Sequence, residues 1–275
     1  MGTLFIVPTP IGNLEDITLR ALRVLREVSL IAAEDTRTTR ILLTHYQITT
    51  PLTSYHEHNK VGKLANVLDS LMAGDVALVS DAGMPGISDP GYELIRAAIE
   101  QGYRVEPLPG ANAVLPALVG SGLPTDSFVY LGFLPKKNAA LKQFLADLAA
   151  ETRTMIVYEN PNRLTDMLQA ILDTLGNRQV CVARELSKIY EEFQRGTASE
   201  VLAYYVQNPP RGEITLVIGG KPPEIQEMWD ENRVRTALYA RLDAGEPLSA
   251  AAKALAAESG WDRRTIYSVG TDYEK

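Results

Sequence analysis

The segment with the clearest potential for chemistry is a loop rich in glycine, proline and aspartate, residues 80–91. It follows a short apolar run and precedes a helical pattern. Glycine lets a backbone approach a ligand closely, and open α/β sheets bind ligands at the carboxyl ends of their strands. We therefore interpret the loop as a binding site in preference to a structural turn. We expect valine at Gly83 or Gly86 to abolish binding there.

The loop does not have the features of a phosphate cradle. No Gly-Lys-Ser/Thr sequence closes it, and the G-x-G-x-x-G spacing of a dinucleotide fold is absent. A ligand without phosphates, held by backbone groups and apolar walls, fits these residue types better. Asp81 is suited to accept a hydrogen bond from an ammonium group of such a ligand.

Two short runs of charged residues, 33–37 and 183–188, stand beside strand-like segments and could take part in a reaction. Carboxylates there can act as a general base, and cations can hold a phosphate or lower a neighbouring pKa. Structural ion pairs, Asp35 with Arg37 or Arg184 with Glu185, are the alternative, because unpaired charges are costly to bury. The candidate catalytic residues are Glu34, Asp35, Arg37, Arg184, Glu185 and Lys188.

Metal binding and thiol chemistry are both disfavoured. All three histidines fall within residues 45–58, with no cysteine nearby and no second cluster of ligands, so we predict no metal site. The single cysteine, Cys181, lies in an apolar run and is interpreted as a buried core thiol. One cysteine cannot form a disulfide framework, which favours a reducing compartment.

Short apolar runs alternate with helical patterns through the first half of the chain, which predicts a mostly parallel α/β sheet. The predicted strands are residues 4–7, 30–33, 76–79 and 103–108, and the predicted helices are 14–28, 60–72 and 92–101. A second set follows a break near residues 120–124, with strands at 128–132, 154–158, 180–184 and 213–218 and helices at 141–151 and 164–175.

The last fifty or so residues have a different pattern. Helices are predicted at 228–243 and 248–259, with a third, short one capped by Asp262, which together resemble a helix-turn-helix unit. This tail carries seven basic and nine acidic residues from position 225 onward, so it is not a basic arm. The predicted domains are 1–119 and 120–222, both α/β, and 223–275, which is helical.

Composition and charge limit the classes of protein. With 45% hydrophobic and 22% charged residues, the chain is typical of a globular protein. Its net charge of −7 argues against coating nucleic acid through a broad basic face, although a local basic pocket is compatible with it. The first residues predict a strand, not a signal peptide, and no stretch predicts a membrane span. We expect a soluble, cytoplasmic protein without a membrane partner.

Six segments of the sequence, taken together and in order, resemble the tetrapyrrole-methylase superfamily. Within it they resemble the branch whose members methylate small-subunit ribosomal RNA. The resemblance extends from the first strand to about residue 219, and the tail is similar to the C-terminal segment of that branch. The segments are residues 7–21, 33–37, 80–91, 107–110, 158–164 and 183–188.

This resemblance implies a homodimer of two-domain α/β chains with S-adenosyl-L-methionine bound in the cleft between the domains. It also implies 2′-O-methylation of a cytidine near the decoding centre, with ribosomal RNA or the assembled small subunit as substrate. The cofactor contacts that it implies are Pro10, Ser80, Asp81, Ala82, Gly83, Gly86, Ile87, Ser88, Leu131, Gly132, Phe133, Leu134, Tyr158, Glu159, Ala183, Gly212, Glu213 and Ile214.

Two other functions remain open at this point. A tetrapyrrole methyltransferase would use the same scaffold, but residues 33–37, residues 183–188 and the helical tail favour the RNA enzymes. The other hypothesis is a non-catalytic nucleotide-sensing module with a nucleic-acid-binding tail. The acidic tail and the full set of cofactor segments argue against it.

Overall fold

The computed structural model of the chain describes residues 2–56, 60–222 and 228–271. The chain forms two compact units, Met1–Lys221 and Pro222–Lys275. The first unit contains both sheets, and the second is helical. The boundary predicted near residue 120 therefore falls inside the first unit and stays a prediction.

The first sheet is parallel, with the strand order β3-β2-β4-β1-β5. All four residues of its central strand β4 are buried, as expected where helices cover both faces of a parallel sheet. This confirms the parallel α/β prediction for the first half. The strands are β1 Thr3–Ile6, β2 Leu30–Ala33, β3 Leu52–Ser54, β4 Val76–Val79 and β5 Arg104–Pro107.

Five helices belong to the described part of this half, and two of them were not predicted. The predicted helix 14–28 is in fact a 3₁₀ turn, Leu14–Asp16, followed by a helix that begins after Thr18, whose side chain accepts a hydrogen bond from the N–H of Ala21. The helices are α1 Leu19–Glu27, α2 Thr36–His45, α3 Lys60–Ala73, α4 Tyr92–Glu100 and α5 Val114–Ser121; α2 and α5 are the additions.

The second sheet is mixed, with the order β6-β7-β10-β8-β9, and only β6 and β7 run parallel. Its strands are β6 Phe128–Phe133, β7 Thr154–Glu159, β8 Gln179–Arg184, β9 Glu192–Thr197 and β10 Ile214–Ile218, and its helices are α6 Asn138–Asp147, α7 Leu164–Leu175 and α8 Ala198–Gln207. The sequence did not predict β9 or α8. It also placed α6 too far along the chain.

Helix α5 packs on the second sheet and links the two halves. Its residues Ala117 and Leu118 pack in one apolar cluster with Ile156, Cys181 and Val217. Cys181 is buried, as predicted, and burial raises the pKa of its thiol to about 11. Such a thiol stays protonated at neutral pH and is inert.

The second unit is a bundle of three short helices, α9 Glu231–Asp243, α10 Leu248–Ser259 and α11 Arg263–Thr271. Its core includes Val234, Leu238 and Leu255. Helix α9 starts later than predicted, because Asp230 caps it by accepting from the N–H of Arg233. Helix α10 has the predicted bounds. In the described part of the chain, no helix is both long and apolar enough to cross a membrane.

Candidate active site

A cavity of about 380 Å³ lies between the two sheets of the first unit. The register of the strands brings the loops of the cavity wall together. In the first sheet, Ala33 at the end of β2 pairs with Val79 at the end of β4. In the second sheet, Ile214 at the start of β10 pairs with both Glu159 and Arg184, at the ends of β7 and β8. The loops that follow β4, β7 and β8 and the turn that enters β10 therefore meet at this cavity.

Eleven of the predicted cofactor contacts line the cavity. The lining members are Ala82, Gly83, Ile87, Ser88, Phe133, Tyr158, Glu159, Ala183, Gly212, Glu213 and Ile214. The others, Pro10, Ser80, Asp81, Gly86, Leu131, Gly132 and Leu134, are not among its lining residues. Leu134 is instead buried in the core of the second sheet. Their assignment as cofactor contacts stays a prediction.

The loop 80–91 is held rigidly against the end of β1. Thr9 and Gly83 exchange two backbone hydrogen bonds, of 2.9 and 2.8 Å, and the Ser80 hydroxyl donates to the Gly83 carbonyl at 3.3 Å. Gly83 and Gly86 both have φ of +82°, a left-handed conformation that favours glycine. Ser88 takes the same region with φ of +61°. The glycines thus allow the conformation of the loop, and its hydrogen bonds to Thr9 hold it in place.

An aromatic wall connects this loop to the second sheet. The hydroxyls of Ser88 and Tyr130 lie 2.7 Å apart, and the Tyr130 ring stacks edge-on against Tyr158 with centroids 5.3 Å apart. Phe133 also packs edge-on against Tyr158, with centroids 5.6 Å apart. Burial raises the pKa of both tyrosines, so both phenols remain neutral at physiological pH. The wall is apolar with hydroxyl groups at its edge.

Glu159 provides a buried carboxylate in the cavity wall. Its side chain is 1% exposed, and its Oε1 accepts from the N–H of Asn160 at 2.7 Å and lies 3.3 Å from Nη1 of Arg163. Burial raises its pKa. Among the described residues nothing donates to its Oε2. A buried acceptor without a donor is costly, so Oε2 is suited to a hydrogen-bond donor on a ligand.

Three further carboxylates gather where β2 and β4 end. The N–H of Asp81 donates to Oε2 of Glu34 at 3.2 Å, and the N–H of Asp35 donates to Oδ1 of Asp81 at 3.1 Å. Asp89 faces this group from the cavity wall. Burial, followed by the charge of Glu34, raises the pKa of Asp89 to about 7. Burial also raises the pKa of Glu34 and Asp81.

The six predicted catalytic residues lie near the cavity but are not among its lining residues. Asp35 caps α2 and pairs with Arg37 at 2.6 Å, and hydrogen bonds from Arg37 lower the pKa of Asp35 to about 2. The ion pair considered for these two residues is therefore present. Arg184 pairs instead with Glu192 at 2.8 Å, so the alternative Arg184–Glu185 pair is wrong.

Glu185 supports the turn that enters β10. Its Oε1 accepts from the N–H of Glu213 and from Nζ of Lys188, both at 2.9 Å, and Lys188 also reaches Glu213 at 3.0 Å. The Glu213 N–H lowers the pKa of Glu185 more than any other group does. Glu185 has φ of +52°, and its carboxyl group lies against the cavity-lining Gly212. This arrangement suits a positioning role better than proton transfer.

The cavity includes nine residues that the sequence analysis did not assign. Several of them directly adjoin predicted positions, as Asp89 follows Ser88 and Asn160 follows Glu159. Most of the nine lie inside the recognised segments but were not named as contacts, whereas Asn112, Ala113 and Thr215 lie outside those segments. The additional residues are Ile11, Met84, Asp89, Asn112, Ala113, Asn160, Pro161, Leu186 and Thr215.

The structure offers no grouping of metal ligands in the part of the chain that it describes. No three His, Cys, Asp or Glu side chains there could hold one ion together. Residues 57–59, which belong to the histidine-containing segment, lie outside the described residues.

Comparison with known proteins gives closely similar sequences and a shared fold. Residues 3–202 match the family of tetrapyrrole (corrin/porphyrin) methylases. The chain is 49% identical to "Ribosomal RNA small subunit methyltransferase I" of Synechocystis sp., covering 100% of this chain and 99% of that protein. It is 43% identical to the protein of the same name from Bacillus subtilis, covering 98% and 94%.

Solved structures show the same fold at low sequence identity. Cobalt precorrin-4 methyltransferase superimposes with a TM-score of 0.62 at 16% identity, covering 79% of this chain and 94% of that one. Uroporphyrin-III C-methyltransferase from Thermus thermophilus, solved with S-adenosylhomocysteine, gives 0.56 at 20% identity, covering 79% and 97%. The matched 79% of this chain is close in length to the first unit, which contains both sheets.

Proposed function

The chain belongs to the tetrapyrrole (corrin/porphyrin) methylase family, and from this premise we propose that it transfers a methyl group from S-adenosyl-L-methionine to small-subunit ribosomal RNA. The supporting observation is its 49% identity, over its full length, to a relative named for that activity. We further propose that the acceptor is the ribose 2′-hydroxyl of a cytidine near the decoding centre. The enzyme is proposed to act as a homodimer in the cytoplasm.

The cavity residues fit this cofactor. A volume of about 380 Å³ is within the usual range for small-molecule sites. The backbone at Gly83 and Gly212 would bind the ligand's edges, and Oε2 of Glu159, which has no donor among the described residues, would accept from a hydroxyl or amino group. Apolar Ile11 and Leu186 complete the wall. We propose these residues, together with the eleven predicted contacts that line the cavity, as the binding site of the cofactor.

When bound, S-adenosylmethionine supplies an electrophilic methyl group on a sulfonium. The task of the chain is then to align the ribose oxygen with that carbon and to exclude water, since in-line displacement depends mainly on orientation. The rigid loop 80–91 and the turn at Gly212 are suited to orienting the donor. The aromatic wall of Tyr130, Phe133 and Tyr158 is suited to excluding water.

Helix α2 offers a surface for the RNA backbone. Its outward face carries Thr36, Arg37, Arg40, Ile41 and Thr44 around a shallow hollow. The Arg37 side chain is 90% exposed, and among the described residues no carboxylate pairs with Arg40. A chain with net charge −7 needs such a local basic surface to hold phosphate beside its acidic cavity.

We predict that Arg40→Ala raises KM for ribosomal RNA and leaves the affinity for S-adenosylhomocysteine unchanged. If Arg40 contacts a phosphate, the slope of log KM against log salt should become shallower by about 1. Methylation rates measured at salt concentrations from roughly 50 to 200 mM, the range in which phosphate contacts weaken, test this prediction. Arg23→Ala on α1 is the matched control, because Arg23 is also exposed but pairs with Glu27. Equal slopes for all three proteins would refute the RNA contact.

The function itself is tested by methyl transfer. The purified protein should transfer labelled methyl from S-adenosylmethionine to small ribosomal subunits, or their RNA, from a strain that lacks its own enzyme. Nucleoside analysis of the product should yield 2′-O-methylcytidine. Transfer to a uroporphyrinogen or precorrin instead would replace the proposal with the tetrapyrrole activity.

A further inference from the structure

Three acidic side chains line the cavity, and two of them lie beside a cation. Glu159 accepts from the N–H of Asn160 and lies near Arg163, and Glu213 pairs with Lys188. The third is Asp89, for which no Lys, Arg or His partner exists among the described residues. Asp89 is therefore the cavity carboxylate most able to take up a proton.

The surroundings of Asp89 favour a carboxylate that changes protonation state. From the end of β4, the Ser80 hydroxyl and the Asp81 carboxylate face it. From β2, Glu34 repels it, with His56 near Glu34. From the second sheet, Tyr130 and Tyr158 face it as neutral phenols.

Resting on the proposed function, we propose that Asp89 is the catalytic residue that accepts the proton of the ribose 2′-hydroxyl during methyl transfer. The Asp89 carboxylate takes the proton as the ribose oxygen forms its bond to the methyl carbon. The electron pair of the broken methyl–sulfur bond stays on sulfur. A positive sulfonium and a negative carboxylate thus become a neutral thioether and a neutral carboxylic acid, which then returns its proton to water.

The acid–base properties of the candidate carboxylates agree with this choice. A general base works best when its pKa lies near the working pH, and that of Asp89 is raised to about 7 by burial and then by Glu34. The pKa of Asp35 is lowered to about 2, and that of Glu185 is also lowered. Carboxylates that bind protons so weakly are poor acceptors for a ribose hydroxyl.

We expect Asp89→Asn to lower kcat on small subunits by about 100-fold or more, the usual loss for a general base. Its affinity for S-adenosylhomocysteine, measured by calorimetry, should remain that of the wild type. Asp126→Asn is the matched control, since Asp126 is exposed and is not a cavity-lining residue. Asp89→Glu should recover part of the rate, and thermal melting should show that all variants fold.

The pH profile gives a readout that a structural role would not change. Protonation inactivates a base, so kcat/KM of the wild type should fall about tenfold per pH unit below pH 7. Asp89→Asn should lack this acidic limb. Glu34→Gln removes a neighbouring negative charge, and so should move the limb to lower pH.

Each alternative result is decisive. Wild-type kcat in Asp89→Asn, or an acidic limb that survives in it, would overturn the assignment. Weakened binding of S-adenosylhomocysteine with kcat intact would instead make Asp89 a ligand anchor and overturn its role as base. If the wild type itself transfers no methyl group to small subunits, the proposed function fails, and this inference fails with it.

Discussion

Alanine at Gly212 is expected to weaken the binding of S-adenosylhomocysteine by about 100-fold, close to 3 kcal/mol. Gly212 lines the cavity with φ of +83°, and a Cβ there would lie 2.3 Å from the Glu185 carboxyl group. That carboxylate holds the Glu213 N–H and Lys188 and is 18% exposed. The substitution would therefore force Glu185 out of place and move the turn away from the ligand.

Isothermal calorimetry on the wild type and Gly212→Ala measures the effect directly. The matched control is Gly122→Ala at the end of α5, where φ is +76° and an added Cβ meets nothing within 4 Å. That control carries the left-handed strain, about 1–2 kcal/mol, without the collision. If both variants bind the ligand equally well, the Glu185 support is not what shapes the site.

The contrast with Gly83 shows what sequence reasoning could and could not supply. The sequence predicted a close backbone approach at Gly83 from the density of glycine in its loop. The structure gives Gly83 a left-handed φ but places its nearest non-neighbouring heavy atom 3.5 Å from an added Cβ. The cost at Gly83 is thus mainly conformational. The collision at Gly212 depends on Glu185, which is distant in sequence, so no local pattern could reveal it.

The same limit explains which elements were predicted. Strand β4 and helix α7 have strong apolar patterns, and their predicted bounds match the structure. Helix α2 is rich in threonine and arginine and buries few residues, so its pattern is weak. Helix α5 contains Pro116 and Gly120, which suggest a loop. Strand β9 lies at a sheet edge and is mostly polar, so alternation did not reveal it.

In the candidate site, residues that belong to contiguous motifs could be predicted from the sequence. Contacts between residues far apart in the sequence could not. Residues such as Ser88 and Tyr158 were assigned because they belong to recognisable segments. The Ser88–Tyr130 hydrogen bond joins residues 42 positions apart, and only the packing of the two sheets creates it. The choice of base likewise depends on burial near Glu34, so Asp89 could not be distinguished from the other carboxylates before the fold was known.

Replacing the buried Arg178 by methionine is expected to lower the free energy of unfolding by about 3 kcal/mol while leaving the cavity intact. Its guanidinium donates to four carbonyl oxygens, those of Ala149, Glu151, Leu175 and Gly219, at 2.6 to 3.3 Å. Arg178 is 6% exposed, so few of these acceptors could turn to water in the variant. Buried acceptors that lose their donors cost more than the bond itself contributed.

The position of Arg178 separates stability from binding. It precedes β8 and contacts the carbonyl that follows β10, at the end of the sheet opposite to Ala183 and Ile214. The strands between these ends span roughly 15 Å. The melting temperature of Arg178→Met should therefore be clearly lower than that of the wild type. Calorimetry at about room temperature should show wild-type affinity for S-adenosylhomocysteine.

Two further variants test the reason for that loss. Arg178→Lys keeps the charge but lacks the planar set of donors, so its melting temperature should lie between those of the wild type and Arg178→Met. Arg153→Met removes an exposed arginine that pairs with Glu151, and should change melting little. If Arg178→Met has the melting temperature of the wild type, water or a rearranged loop must donate to the four carbonyl oxygens. In that case Arg178 is not what joins α6, α7 and β10 at this end of the sheet.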